Sequence, residues 1–207
     1  IEGVLSRERQ IGLFGELLLL DDLVSLHGPS AVACWTGPQG ERHDFRIEKL
    51  EFEVKTTAGR RRIHTVNGLT QAEPSTGCEL SFLSVQLAKT AGNDGSTLPE
   101  LVGRVEAKLY ADENARQLFR RCLDGLGYRD SDASAYDQKW KLASNVKLVP
   151  VDASFPAITS LLMSEALGNT FSRLEAISYD VNLEGLGASL DNGLGSYLDA
   201  RKEEGIQ

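Results

Sequence analysis

His43-Asp44-Phe45-Arg46-Ile47-Glu48-Lys49-Leu50-Glu51-Phe52-Glu53-Val54-Lys55-Thr56-Thr57 is the stretch that decides how the chain is read. At a period of two it divides into two short strands that break near Glu48-Lys49. Phe45 and Ile47 then share one side of the first strand, and Phe52 and Val54 one side of the second. The opposite side carries Asp44 and Arg46 on one strand and Glu51, Glu53 and Lys55 on the other. Neighbouring carboxylates raise each other's pKa and cost stability unless a cation joins them. A divalent metal held by Asp44 and Glu53, with Lys55 beside it, resolves that conflict. The plainer account is a hairpin whose charges sit on a solvated face, each cross-strand ion pair there contributing about 0.2 to 1 kcal/mol. On the hairpin alone the two accounts stand level.

What separates them lies upstream. Ser6 to His27 reads as a helix, capped by Ser6 and stopped by Gly28-Pro29. Its leucines leave little of the circumference polar, so it is expected to be largely buried. Glu16 is the exception, because its neighbours one turn away are Gly12, Leu13, Leu19 and Leu20. A carboxylate enclosed there needs a partner from elsewhere in the fold, unless it reaches past the leucines to solvent. Gly12 and Gly15 cost helix propensity but permit close approach to another backbone.

Further along, Ala31 to Trp35 reads as a short strand and Thr36 to Gly40 as a turn. After the hairpin come a turn at Thr57 to Arg60, a strand from Arg62 to Val66, a tight reversal at Asn67-Gly68, and a strand from Leu80 to Leu87. Thr90 to Pro99 is the best boundary candidate, and divides the chain into a core (1–90) and an elaboration (91–207). Thr97, Pro99 and Glu100 start a helix to about Ala111, and a second runs from Asp112 to Leu126 and carries Arg116, Arg120 and Arg121. Trp140 to Val151 reads as one or two strands, Ser160 to Leu167 as a helix, Arg173 to Leu183 as a strand, and Ser189 to Lys202 as a terminal helix.

The 207 residues, 41% hydrophobic and 25% charged, have the composition of a globular protein. No apolar run approaches the roughly 18 residues of a membrane span, and no export signal is visible. The chain opens at Ile1, and an upstream segment is expected before it. Cys34, Cys78 and Cys122 form no CxxC, which suits reduced thiols in a cytoplasmic protein. A net charge of −8 argues against coating nucleic acid by bulk electrostatics, so DNA contacts would come from a cluster such as Arg60-Arg61-Arg62. That triplet reads equally well as a solvated turn. Phosphate-loop, dinucleotide-binding and serine-hydrolase signatures are absent, and His27, His43 and His64 lack zinc-site spacing. His64 and His43 are candidates to line a site, with packing or surface hydrogen bonding the commoner role for both.

Glu16 on a buried helix, Asp44 on one strand and Glu53-Val54-Lys55 on the next have an order that resembles the PD-(D/E)XK nuclease superfamily. Gly12-Leu13-Phe14-Gly15-Glu16-Leu17 looks like the first core helix of that fold, and Glu53-Val54-Lys55 like its ExK. More narrowly, the chain resembles a bacterial family assigned to that superfamily and often found near restriction and phage-defence genes, a likeness that Phe155-Pro156, Tyr179 and Leu183 fit more loosely. The pattern has Pro where this chain has His43, and a Gln-and-Tyr motif carried by one branch is not evident after Lys55, which leaves Gln71 as a candidate.

The resemblance implies an α/β (α+β) mixed sheet with a restriction-endonuclease-like core, a helix followed by a β-meander and then a C-terminal α/β elaboration. It implies Mg²⁺, with Mn²⁺ as a substitute, held by Asp44, Glu53 and the Val54 carbonyl for phosphodiester hydrolysis of DNA. Lys55 would orient or deprotonate the attacking water, and Glu16 would serve a second metal or hold Lys55. Arg60, Arg61, Arg62, His64 and Gln71 are the candidate nucleic-acid contacts. Protein partners of a defence system are expected, and no membrane. The alternative is an inactive nuclease-like module that binds nucleic acid or scaffolds a defence complex. A purely structural α/β protein would leave Glu16 far from Asp44 and Glu53.

Overall fold

Ser6 accepts a hydrogen bond from the Arg9 amide (3.3 Å) and starts α1, Arg7–His27, which ends where Gly28 turns to a φ of 80° ahead of Pro29. The computed structural model describes residues 3–203, so the last residues of the 91–207 half lie outside it. Ala31 to Trp35 is not a strand: Pro29–Cys34 is a 3-10 helix, and only Trp35 pairs, through a single bridge to Phe45. A short apolar run does not distinguish strand from helix, and Pro29, with φ fixed at a helical value, starts the turn.

The strands are β1 (Phe45–Ile47), β2 (Leu50–Thr57), β3 (Ile63–Asn67), β4 (Glu79–Thr90), β5 (Lys139–Leu142), β6 (Lys147–Pro150), β7 (Ser178–Asn182) and β8 (Ala188–Ser189). The remaining helices are α2 (Leu98–Lys108), α3 (Glu113–Gly125), α4 (Ser160–Leu167) and α5 (Gly193–Glu203). The main sheet is mixed, in the order β1-β2-β4-β6-β8 with β5 also on β4. The strands after the helix do not form a meander: β2 and β4 run parallel, from Leu50↔Glu79 to Thr57↔Gln86, and every other pairing is antiparallel. Asn67-Gly68 does not close a hairpin either. β3 leaves the main sheet and pairs with β7, Ile63 opposite Asn182.

Alternation along β2 and β4 sorts their side chains between two cores. Phe52, Val54, Leu83, Val85 and Leu87 pack in the larger core with α1, while Leu80 and Phe82 join Val66 and Val181 of the two-stranded sheet and Leu183 just after it. The larger core also takes Leu101, Val102, Phe119, Trp140, Leu194 and Leu198. Residues on both sides of Thr90 share one interior. Among the described residues no helix is long and apolar enough to cross a membrane.

The two glycines of α1 differ. A Cβ on Gly15 would lie 1.9 Å from Thr56 Oγ1 of β2, whereas one on Gly12 would meet nothing within 4 Å. Gly15→Ala is expected to destabilise by about 1–3 kcal/mol through overpacking, with partial recovery in Gly15→Ala/Thr56→Ala. Gly12→Ala is expected to stabilise by about 0.5–1 kcal/mol. Urea denaturation checks the opposite signs, and equal shifts would mean that α1 does not lie on β2 as described.

Candidate active site

The hairpin forms as its period demands. β1 pairs with β2 from Phe45↔Phe52 to Ile47↔Leu50, and Glu48 takes the turn at a φ of 55°. Asp44 lies just before β1, its backbone fastened by the Thr36 amide (2.9 Å to Asp44 O). Its Oδ2 accepts from the Val54 amide at 2.7 Å. The N–H and C=O of one strand residue point to the same edge. The Val54 carbonyl therefore faces the edge of β2 on which Asp44 sits, beyond the last pair of β1.

The polar side of β2 is not a wet face. Glu51 and Glu53 are 3% and 4% exposed. They are covered by the connection between β3 and β4, whose Gln71, Glu73 and Ser75 fasten to Lys55, His43 and Glu51. Gln71 Oε1 accepts from Lys55 Nζ (2.8 Å) and from the Asn67 amide (2.8 Å). The Glu73 carbonyl lies 3.1 Å from His43 Nε2, and the Ser75 amide donates to Glu51 Oε2 (2.8 Å). Lys55 Nζ also pairs with Glu53 Oε1 at 3.1 Å. A solvated-hairpin account does not survive this burial.

Glu16 joins the group electrostatically. Its Oε2 accepts from the Trp35 indole N–H at 2.7 Å. Burial pushes its carboxyl up to about 7, against the Trp35 hydrogen bond; the Glu53 charge raises it further and Lys55 draws it back. Asp44 is raised well above the carboxylate range, first by burial and then by Glu16 and Glu53, while the Val54 amide and Lys55 hold it down. Asp44 feels both Glu16 and Glu53, and Glu16 feels Glu53, so Glu16 does not stand apart from the other two. The group carries more carboxylates than cations, and Asp44 and Glu16 resist ionisation.

Other expected contacts separate. Arg60 and Arg61 are exposed on the turn after β2. Arg62 is turned inward and cannot meet a nucleic acid: its guanidinium donates to Ser84 O (2.6 Å), Ser84 Oγ (2.9 Å), Ser144 Oγ (2.7 Å) and Asn145 O (2.7 Å). Arg60 and Arg61 lie on the exposed bend between β2 and β3 while Arg62 leads into β3 and is buried, which splits the triplet. His64 is likewise buried, against Ser84 Oγ (2.7 Å), and burial, with the Lys55 and Arg62 charges, pushes it down to about 4. It stands beside Lys55's charge rather than on an outer surface. Gln71 holds Lys55. Glu16 is held by Trp35 and makes no hydrogen bond to Lys55. On α3, Arg116 pairs with Glu113, and Arg120 with Glu106 and Asp130, so no free basic stripe forms there.

Sequence reasoning left Trp35 and Glu51 out of the site and held His43 as a candidate to line it, with packing or surface hydrogen bonding the commoner role. Alternation marked Glu51 as sharing Glu53's side, but nothing local showed that side to be covered. Among the described residues no group of three or more His, Cys, Asp or Glu side chains is arranged to hold a metal ion. Asp44, bonded to the Val54 amide, lies within electrostatic reach of Glu53, and the Val54 carbonyl shares its edge of β2. These are oxygen donors with two carboxylates, the chemistry that suits a hard divalent cation.

No curated protein and no solved structure matches the chain. A family model described as "Putative PD-(D/E)XK family member" (DUF4420) matches residues 1–184, which span α1, the hairpin with Asp44 and Glu53-Val54-Lys55, and both sheets as far as β7. By its sequence over that span, and with the helix, mixed sheet and acidic group that go with it, the chain belongs to this PD-(D/E)XK family.

Proposed function

We propose that the protein is a divalent-metal-dependent nuclease that hydrolyses phosphodiester bonds of DNA, in a bacterial restriction or phage-defence setting. One observation carries the reading: buried Glu53 and half-buried Asp44 and Glu16 form an acidic group balanced by too little positive charge, with the raised carboxyls of Asp44 and Glu16 as its signature. A dication is the partner such a group lacks. Asp44, Glu53 and the Val54 carbonyl are the residues to hold it, with Mg²⁺ or Mn²⁺ suited to their oxygen donors. When bound, such an ion lowers the pKa of a coordinated water and neutralises charge on a phosphate oxygen. Lys55 Nζ, fixed between Glu53 Oε1 and Gln71 Oε1, orients the attacking water or takes its proton. Arg60 and Arg61, both exposed, are the side chains free to meet phosphates. DNA is the partner, and defence-system proteins are further ones.

The test is a cleavage panel of single- and double-stranded DNA and RNA, with Mg²⁺, Mn²⁺ or chelator. Cleavage of DNA that chelator stops is the expected result; none on any substrate with either metal would overturn the reading. A second reading, an inactive module that binds or scaffolds, is favoured by the lack of a three-side-chain metal group among the described residues. Calorimetric titration with Mn²⁺ separates the two, since a degenerate site shows no binding that depends on Asp44 and Glu53.

A further inference from the structure

The proposed chemistry needs more room than the acidic group has. A hard dication keeps waters and a phosphate oxygen around it, yet the side chains of Glu53 and Lys55 are only 5% and 13% exposed. Residues 68–77, between β3 and β4, cover them, and that stretch is lightly built. Its one buried apolar side chain is Ala72, which joins Val66, Leu80 and Phe82 in the smaller core. Its ties to the site are polar: Gln71 Oε1 to Lys55 Nζ (2.8 Å), the Glu73 carbonyl to His43 Nε2 (3.1 Å) and the Ser75 amide to Glu51 Oε2 (2.8 Å). On the outer side Glu73 Oε1 accepts from the Ser160 amide at the start of α4, a helix with no buried residue.

Both ends of the stretch are glycines in the left-handed region, Gly68 at a φ of 76° and Gly77 at 77°. A Cβ on either would meet nothing within 4 Å, so glycine serves the backbone conformation there and not close packing. The chain is tied down beside each: the Gly68 amide donates to Ile177 O (2.9 Å) and the Glu79 amide to Lys49 O (2.8 Å). Small residues at the fixed ends of a weakly packed segment are where a swinging loop takes up its change in dihedral angles.

We propose that residues 68–77 are a strap that shuts the acidic group in the free protein and lifts from β2, about Gly68 and Gly77, to admit a phosphodiester backbone with its metal. Lifting exchanges polar bonds that water can replace and draws one methyl group from the core, so it proceeds without unfolding the central strands. What is admitted rests on the nuclease reading; the lifting does not.

The test reads the strap directly. In the metal-free protein, amide hydrogen exchange followed by NMR should show the Ser75 amide exchanging about 10²- to 10⁴-fold faster than those of β4, and hardly responding to low urea. The β4 amides, on a strand paired on both sides, should respond steeply because they wait for the whole fold to open. Equal rates and equal urea responses would overturn the proposal whether or not the protein cuts anything. Gly77→Ala strains the closed turn and not the lifted one, and should speed Ser75 exchange by about 5- to 30-fold. Ala72→Gly, which removes the anchoring methyl, should act in the same direction; unchanged exchange in both variants would overturn the hinge. If the strap gates the site, kcat/KM for Mn²⁺-dependent DNA cleavage rises in step with exchange, because the competent fraction rises. Faster exchange without faster cleavage in an active protein would overturn the gating. Lifting in a protein that cleaves no DNA would defeat the nuclease reading, and with it what the strap admits, while the lifting itself stood.

Discussion

Lys55→Met is expected to lower metal-dependent cleavage by about 10²- to 10⁴-fold, the range for loss of a positioned proton-transfer group. It should also destabilise the fold. The Lys55 side chain is 13% exposed and Glu53's is 5%, so removing the ammonium leaves a buried carboxylate short of its closest cation. Breaking a buried pair from one side costs about 3–5 kcal/mol. Gln71 Oε1 keeps a donor in the Asn67 amide. Glu53→Gln makes the control, because it removes a ligand and a charge from an overcrowded acidic group and strands no anion. It should abolish cleavage with unfolding free energy within about 1.5 kcal/mol of wild type, the usual scale for one exchanged hydrogen bond. Cleavage assays and denaturant titrations on both variants check the pair. Full residual activity in both would remove the catalytic assignment.

The second large effect is on stability against pH. The Glu16 carboxyl sits near 7 in the folded protein and near 4.5 when free. Between those values the folded chain binds more protons than the unfolded one, so stability falls as pH rises. The contribution is fully present below about 4.5 and is lost as pH passes 7; Asp44, also raised, acts in the same direction. Solvent reaches part of Glu16, which reduces the effect to an order of 1–2 kcal/mol, or roughly 2–8 °C in Tm for a chain of this size. Glu16→Gln cannot titrate and still offers an oxygen to the Trp35 N–H. Its Tm should therefore fall less than wild type's from pH 5 to pH 8, as read by calorimetric scans. A wild-type profile no steeper than that of Glu16→Gln would show that Glu16 is not enclosed with the other acids.

Much of the local structure is legible without coordinates, because its causes lie within a few residues. Ser6 and Gly28 bound α1, Thr97 and Glu100 cap α2 through reciprocal hydrogen bonds, and α4 spans Ser160–Leu167 as its pattern predicts. The hairpin break at Glu48 and the sides of Phe52 and Glu53 follow from a period of two. Glu16 declared itself as a charge that its own helix could not satisfy. Order along the chain was enough to place Glu16, Asp44, Glu53 and Lys55 in one candidate group.

Tertiary structure decided what surrounds that group. Period fixes which side of a strand a residue faces but carries no information on what covers that side. So the burial of Glu51 and Glu53 under Gln71, Glu73 and Ser75, and the enclosure of His43 between them, emerged only from the folded chain. For the same reason Arg62 was indistinguishable from Arg60 and Arg61 until β3 was seen against β7 and the Ser84 carbonyl. The choice of strand partners rests on contacts between residues more than a hundred apart, Ile63 with Asn182 among them. Such pairings are chosen by the burial of whole faces at once, and no window of neighbouring residues contains that sum.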